Sequence, residues 1–176
     1  MRKLFLAVAA AGAALGLAAG AWAGGGYGGY GDGSTSTTST QSTSSTTSKK
    51  SETYSFKATL TAGQEVPKPK GVPAGAGGSF TAKSTESGST TSFHWVLKFH
   101  GLSGKAMAAH VHLGKKGTPG AVLVPLCGPC KNGQSGTVKI KGSVESALEK
   151  GTTYVNVHTA KNGNGEIRGQ IKLTGK

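Results

Sequence analysis

Residues 93–100 read FHWVLKFH, and this stretch decides the fold class. Its large apolar side chains occupy every second position, with mostly polar residues between them: Phe93, Trp95, Leu97 and Phe99 against His94, Lys98 and His100. Residues that alternate in this way point to opposite faces of a β-strand. The stretch therefore predicts a strand with one face in a core and the other in water.

Seven further segments show the same alternation or a short apolar run, and we predict each of them as a strand. They are residues 54–60, 80–82, 109–113, 121–126, 138–140, 155–157 and 167–171. We expect Pro125 to end the run AVLVPL at 121–126 or to place it at a sheet edge, because proline has no N–H for a ladder. The Asn-Gly pairs of KNGNG at 161–165 predict a hairpin between the last two strands.

Helical periodicity is confined to one short segment. Only Ser143–Lys150 has it, for two turns at most, and we expect Gly151 to end it. Eight short strands with Gly, Pro and Asn turns and no repeated βαβ unit predict an all-β fold. We therefore expect an antiparallel β-sandwich or barrel.

The first 23 residues have the composition of a secretory signal peptide. Arg2 and Lys3 precede an Ala/Leu/Gly-rich run, and Ala21-Trp22-Ala23 matches a small-x-small cleavage pattern. The alternative is an uncleaved membrane anchor; the cleavage pattern and the Ala/Gly composition favour the signal peptide. We predict a secreted, periplasmic or cell-envelope-associated protein with no transmembrane span in the mature chain.

Residues 24–52 are predicted to form a disordered linker. The segment is first Gly-rich, and from Ser34 to Ser48 every residue except Gln41 is Ser or Thr. Such a composition cannot bury enough apolar surface to offset the entropy of ordering. A plain spacer and an O-glycosylated stalk are both compatible with it. The folded β domain is predicted to span residues 53–174.

Most of the chain's net charge of +13 belongs to the β domain, which from residue 53 onward has 16 Lys+Arg against 5 Glu. Short lysine clusters suggest a cationic surface: Lys68, Lys70, Lys115, Lys116, Lys139 and Lys141. Such a surface attracts anionic groups, so we predict an anionic cell-envelope polymer or another extracytoplasmic protein as the partner. Simple solubility is the alternative. Nucleic acid is disfavoured by the leader and by the lack of a basic and aromatic stacking platform.

Four ordered strings resemble a known family. FKATLTAGQEVP at 56–67, AHVHLG at 109–114, YVNVHT at 154–159 and GEIRGQI at 165–171 resemble the CHRD domain, first described in the chordin proteins and also found alone in exported bacterial proteins. The resemblance implies an immunoglobulin-like all-β fold without established catalytic residues. In chordin the setting is extracellular growth-factor binding, a role that we do not transfer to this chain.

The histidines are the strongest candidates for a ligand site. His110 and His112 are two residues apart and therefore share a strand face, and His158 is out of phase with Val155 and Val157. Three neutral imidazoles suit a mononuclear Cu or Zn ion. The alternative is a hydrogen-bonded structural cluster with no cofactor.

The same predicted face carries the polar residues of the last strand: Glu166, Arg168 and Gln170. His-Val-His on a strand is also similar to the copper-ligand strand of copper-zinc superoxide dismutases. A full dismutase site is excluded, because that site needs more histidines and an Asp ligand, and the β domain contains no Asp.

Cys127-Gly128-Pro129-Cys130 is identical to the thioredoxin active-site tetrapeptide. A reactive thiol of that kind requires a helix start, and the following KNGQSG has no helical period. Export favours oxidation, so we predict a structural disulfide between Cys127 and Cys130. Redox or metal sensing and thiol oxidoreductase activity are the alternatives.

No arrangement of residues indicates a hydrolase or a phosphate-binding loop. The leading prediction is a non-enzymatic exported module with a binding or structural role outside the cytoplasm. A mononuclear metal protein is the second prediction, and a thiol-disulfide oxidoreductase is the third.

Overall fold

A computed structural model describes residues 51–176 of the chain. The predicted signal peptide and most of the predicted linker lie outside the described residues. The described chain forms nine strands: β1 Thr53–Thr61, β2 Gly77–Ser87, β3 Thr90–His100, β4 Ala106–Leu113, β5 Val122–Cys127, β6 Gln134–Ile140, β7 Thr153–Thr159, β8 Ile167–Gln170 and β9 Lys172–Gly175. One helix, α1 Gly142–Glu149, and one 3-10 turn, Ala62–Gln64, complete it.

The strands form one antiparallel sheet that nearly closes into a barrel, as the sequence predicted. Their order is β5-β4-β7-β8-β1-β2-β3-β6, and β9 pairs with β1. Strands β8 and β1 meet through one residue pair, Thr61 with Arg168. We therefore describe two parts: sheet I is β5-β4-β7-β8, and sheet II is β9-β1-β2-β3-β6.

The hydrophobic core lies between these two sheets. Sheet II contributes large side chains such as Phe56, Phe80, Phe93, Trp95 and Leu97, and sheet I contributes mainly small and β-branched ones such as Ala109, Val111, Val155, Val157 and Ile167. The stripe predicted in β3 is confirmed at its first three members, whereas Phe99 is only partly buried. Leu113, predicted to share the apolar face of β4, is 45% exposed at the strand end.

The apolar run at 121–126 forms an edge strand and is not fully buried. Only Val124 of β5 is buried, and Val122 is 50% exposed, because β5 pairs with β4 alone. The strand continues through Pro125 to Cys127. Proline is tolerated there because one side of an edge strand has no ladder to supply.

The helix and the final hairpin form where the sequence predicted them. Strands β7 and β8 pair antiparallel on either side of the Asn-Gly turn. The buried carboxylate of Glu145 in α1 accepts hydrogen bonds from Ser84 and Thr91, which fixes the helix against sheet II. Sequence alternation missed β9, because four exposed residues give it no buried face to reveal. No helix within residues 51–176 is long and apolar enough to cross a membrane.

Candidate metal centre

The three predicted histidines share the outer face of sheet I. His110 of β4 is opposite Asn156 of β7, and His112 is opposite Tyr154. His158 lies opposite Ala108, two residues further along the same two strands. Because Ala109, Val111 and Val157 fill the core, their sequence neighbours must point outward, and strand pairing then brings the imidazoles together.

The ligand atoms of the three rings lie close enough to share one ion. Nδ1 of His110 is 3.1 Å from Nε2 of His158, and one nitrogen from each of the three rings lies within 4.8 Å of the others. Tetrahedral nitrogen ligands at about 2.0 Å from zinc would be roughly 3.3 Å apart. Side-chain movements of about 1 Å therefore suffice to close the three nitrogens around a metal.

Two of the rings are already in the tautomer that a metal ligand needs. Nδ1 of His112 lies 2.9 Å from the carbonyl oxygen of Gly120, and Nδ1 of His158 lies 3.0 Å from that of Gly163. A carbonyl oxygen only accepts, so each Nδ1 carries the proton and each Nε2 carries a lone pair. The lone pair of His112 has no hydrogen-bond partner, whereas that of His158 accepts from Nδ1 of His110. Donation of the second ring N–H to a backbone carbonyl is the usual arrangement of metal-binding histidines.

The surroundings of His110 and His158 favour the neutral form of both rings. Burial lowers the pKa of His110, and the neighbouring His158 and His112 lower it further. Burial also lowers the pKa of His158 and outweighs the opposing hydrogen bond to Gly163. Neutral imidazoles have no proton to lose before they coordinate, so both shifts favour metal binding at neutral pH.

A stack of planar side chains holds His112 in place. Its ring lies parallel to that of Tyr154, with centroids 4.9 Å apart. The guanidinium carbon of Arg168 lies 3.4 Å from the centroid of the Tyr154 ring. Nη2 of Arg168 donates to the carbonyl oxygens of Lys115 and Thr118 at 2.9 Å each. Arg168 is only 2% exposed, and it thereby ties the loop 114–120 down over the sheet.

The same loop supplies the carbonyl that orients His112. The backbone N–H of Gly120 donates to the hydroxyl of Tyr154, and its carbonyl oxygen accepts from His112. A Cβ atom at residue 120 would lie 1.6 Å from the carbonyl oxygen of Leu113, so the position has no room for a side chain. The strings AHVHLG and YVNVHT thus form one packed unit with this loop.

The four strings that resemble the CHRD domain lie on β1, β4, β7 and β8 and on the turns next to these strands. A model of the CHRD domain matches residues 56–171, about two thirds of the chain. The chain belongs to the CHRD domain family. The CHRD domain is a small extracellular-type module. Neither a curated protein nor a solved structure matches the chain.

The polar residues in β8 and immediately before it take separate places in this CHRD domain. Gln170 donates to the carbonyl oxygens of Gly114, Gly151 and Thr153, so it braces the loop beside Arg168. Glu166 instead accepts hydrogen bonds from a different set of residues: Ser103, Thr159 and Asn162. Burial alone would raise the pKa of Glu166, but these donors outweigh it and lower that pKa. Of the residues predicted to share one face, Arg168 packs with the histidines through Tyr154. The Glu166 carboxylate instead holds two loops together.

The strand pattern does not reveal the role of Tyr154, nor the burial of Glu65, whose carboxyl group lies near Arg168. Glu65 is 1% exposed, and its burial raises its pKa to about 7 despite hydrogen bonds from Asn156 and Val66. One carboxyl oxygen of Glu65 and one guanidinium nitrogen of Arg168 have no hydrogen-bond partner. Tyr154 and Glu65 both lie inside the strings that resemble the CHRD family, and this is the sequence feature that could have identified them.

The two cysteines form the predicted disulfide. Cys127 is the last residue of β5, and the backbone N–H of Cys130 donates to the carbonyl oxygen of Ala106. Within the described residues no helix begins between β5 and β6, so the CHRD domain does not present Cys127 at a helix start. The bridge closes the turn at the edge of sheet I.

All six lysines predicted to form the cationic surface are exposed, but they do not form one patch along the fold. Lys115 and Lys116 belong to the loop over the histidine face, and Lys68 and Lys70 follow the 3-10 turn. Lys139 lies on β6, and Lys141 precedes α1. The CHRD domain therefore distributes these charges over several surfaces.

Proposed function

We propose that this CHRD domain is a non-enzymatic module outside the cytoplasm that binds one Cu or Zn ion through His110, His112 and His158. The observation that carries the proposal is the Nε2 atom of His112, which is buried and has no hydrogen-bond partner. It lies in a cluster with two further imidazoles, and the Nε2 lone pair of His158 accepts the hydrogen bond from Nδ1 of His110, which a metal would replace.

A structural role for the cluster explains less. The hydrogen bond between His110 and His158 satisfies those two rings, but it leaves the third ring with a desolvated acceptor. An unsatisfied buried polar atom costs about 1–3 kcal/mol. A metal ion coordinated by Nε2 would remove this cost, because Nε2 is the ligand atom of a histidine whose Nδ1–H donates to a carbonyl.

The donor set indicates the class of metal. Three imidazole nitrogens suit Zn(II) and Cu(II), and at equal availability a nitrogen site binds Cu(II) more tightly. The two cysteine sulfurs are bonded to each other and do not compete as ligands. His110 is only partly buried, so the site has one side open to a water molecule or a small exogenous ligand.

The chain contains its own control for a binding experiment. His94 and His100 are exposed and lie on β3, away from the cluster. We would load the purified protein with Zn(II) or Cu(II), dialyse it, and measure the metal content by elemental analysis. The triple variant His110→Ala/His112→Ala/His158→Ala is compared with the double variant His94→Ala/His100→Ala.

The proposal expects one ion per chain in the wild-type protein and in the His94/His100 variant. The triple variant should lose tight binding, by at least about 100-fold in affinity, because all three ligands are gone. Equal retention by the two variants would assign binding to the surface histidines and contradict the proposal, as would the absence of tight binding in the wild type.

A further inference from the structure

The outer face of sheet II has a composition unlike the rest of the surface. On β1, β2, β3 and β6 the outward positions alternate with buried or half-buried residues, whereas β9 is exposed throughout. The outward positions are mostly Ser, Thr and Lys. Five of them are exposed lysines: Lys57, Lys83, Lys98, Lys139 and Lys172. No outward position of these strands is Asp or Glu, and the other exceptions are Gly77, His94, Val96, His100 and Gly175.

The lysines on this face lie closer together than folding alone favours. Lys57 of β1 and Lys172 of β9 are direct cross-strand partners. Like charges in that relation destabilise an antiparallel pair. Beside them lies a cleft of about 350 Å³ whose lining includes Lys57, Lys172 and Lys116, together with Thr and Gln side chains and no acid. An anion bound in this cleft would relieve the repulsion.

We propose that the outer face of sheet II, centred on Lys57 and Lys172, binds an extended acidic polysaccharide. Lysines match repeated carboxylate or sulfate groups, and the rows of Ser and Thr hydroxyls match sugar hydroxyls. A twisted open sheet face accommodates a chain lying across several strands. The inference concerns a separate surface and does not depend on metal binding at the histidines.

Other polyanions fit the face less well. A membrane surface favours several exposed aromatic or aliphatic side chains beside the lysines, and these strands offer only the half-buried Val96 and the exposed Leu173 of β9. Single-stranded nucleic acid favours aromatic side chains for base stacking, and none of the outward positions is Phe, Tyr or Trp. Charge without such groups suits a hydrated glycan, whose binding depends strongly on salt.

The test compares two triple variants that remove the same charge. Lys57→Gln/Lys83→Gln/Lys172→Gln neutralises the face, and Lys105→Gln/Lys131→Gln/Lys150→Gln removes three exposed lysines elsewhere. Affinity for polygalacturonate, for heparin and for vesicles of phosphatidylglycerol and phosphatidylcholine is measured with the full chain at 50, 150 and 500 mM salt. Unfolding midpoints of both variants are recorded, so that misfolding is recognised.

The proposal expects binding of wild-type protein to at least one of the polysaccharides, weakening as salt rises. The face variant should bind about ten-fold more weakly, since three of the charges that face the polysaccharide are gone. The control variant should bind within about two-fold of wild type. Equal losses in both variants, binding only to vesicles, or no polysaccharide binding at 50 mM salt would each overturn the proposal.

Discussion

The polar side chains on the outer faces of the two sheets find their hydrogen-bond partners in opposite ways. On sheet I the polar side chains lie beneath loops, and Arg168 and Asn156 are each 2% exposed. On sheet II the polar side chains are open to water along every strand, as at Lys57 and Lys83. Water satisfies the second set at little cost, whereas the first set must find protein or ligand partners. Specific binding is therefore expected on sheet I and salt-dependent attraction on sheet II.

The largest difference in stability between the two faces should come from replacing one cation on each face by methionine. Arg168→Met removes the donors to Lys115 and Thr118 and the contact with Tyr154, so we expect a loss of about 3 kcal/mol in the free energy of unfolding. Lys83→Met should change it by less than about 0.5 kcal/mol. Urea unfolding monitored by circular dichroism measures both. Similar values for the two variants would show that the covered face is not the more tightly constrained one.

A smaller effect should appear in the pH dependence of stability. The pKa values of His110 and His158 are lowered on folding from the ordinary 6.5, so the unfolded chain binds more protons in the interval below that value. The contribution of these residues to stability is therefore present above about pH 6.5 and is lost as the pH falls through the folded pKa values. Metal affinity should fall over the same interval, because protons compete for the ligand nitrogens.

The double variant His110→Gln/His158→Gln isolates this contribution. Its free energy of unfolding should depend less on pH between 5 and 7 than that of the wild type, when both are followed by urea titration at each pH. The variant His94→Gln/His100→Gln serves as the control on the open face. An unchanged slope in the first variant would contradict the assignment of the pH dependence to the covered histidines.

The smallest effect concerns the lysine pair on the open face. Lys57→Gln removes the cross-strand repulsion with Lys172, and we expect a gain of a few tenths of a kcal/mol at low salt that disappears at about 1 M salt. Thermal unfolding at several salt concentrations measures it. A loss of stability at low salt would mean that the face is not under electrostatic strain.

The sequence predicts those features that depend on local alternation. The stripe through Phe93, Trp95 and Leu97 predicts β3, and the two-residue spacing of His110 and His112 places both rings on one face. Their approach to His158 follows once β4 and β7 are paired. These predictions succeed because a strand's side-chain period is fixed and does not depend on distant residues.

The remaining features depend on loops that pack over long sequence distances. Nothing near Arg168 in the chain reveals that the carbonyls of Lys115 and Thr118 will cover it. Glu166 has the same strand phase as Arg168, yet Ser103 arrives from another loop and holds its carboxylate elsewhere. Burial of polar groups on the outer face of a sheet is a tertiary effect, which the strand pattern alone does not contain.

Imidazole nitrogen NMR during titration with Zn(II) most directly tests metal binding at the three histidines. Before zinc is added, His112 and His158 should be in the Nδ1–H tautomer, because each donates to a backbone carbonyl. The account predicts that one equivalent of Zn(II) shifts the resonances of His110, His112 and His158 in a saturating manner and leaves those of His94 and His100 unchanged. Equal, non-saturating shifts of all five histidines, or no shift of His112, would contradict it.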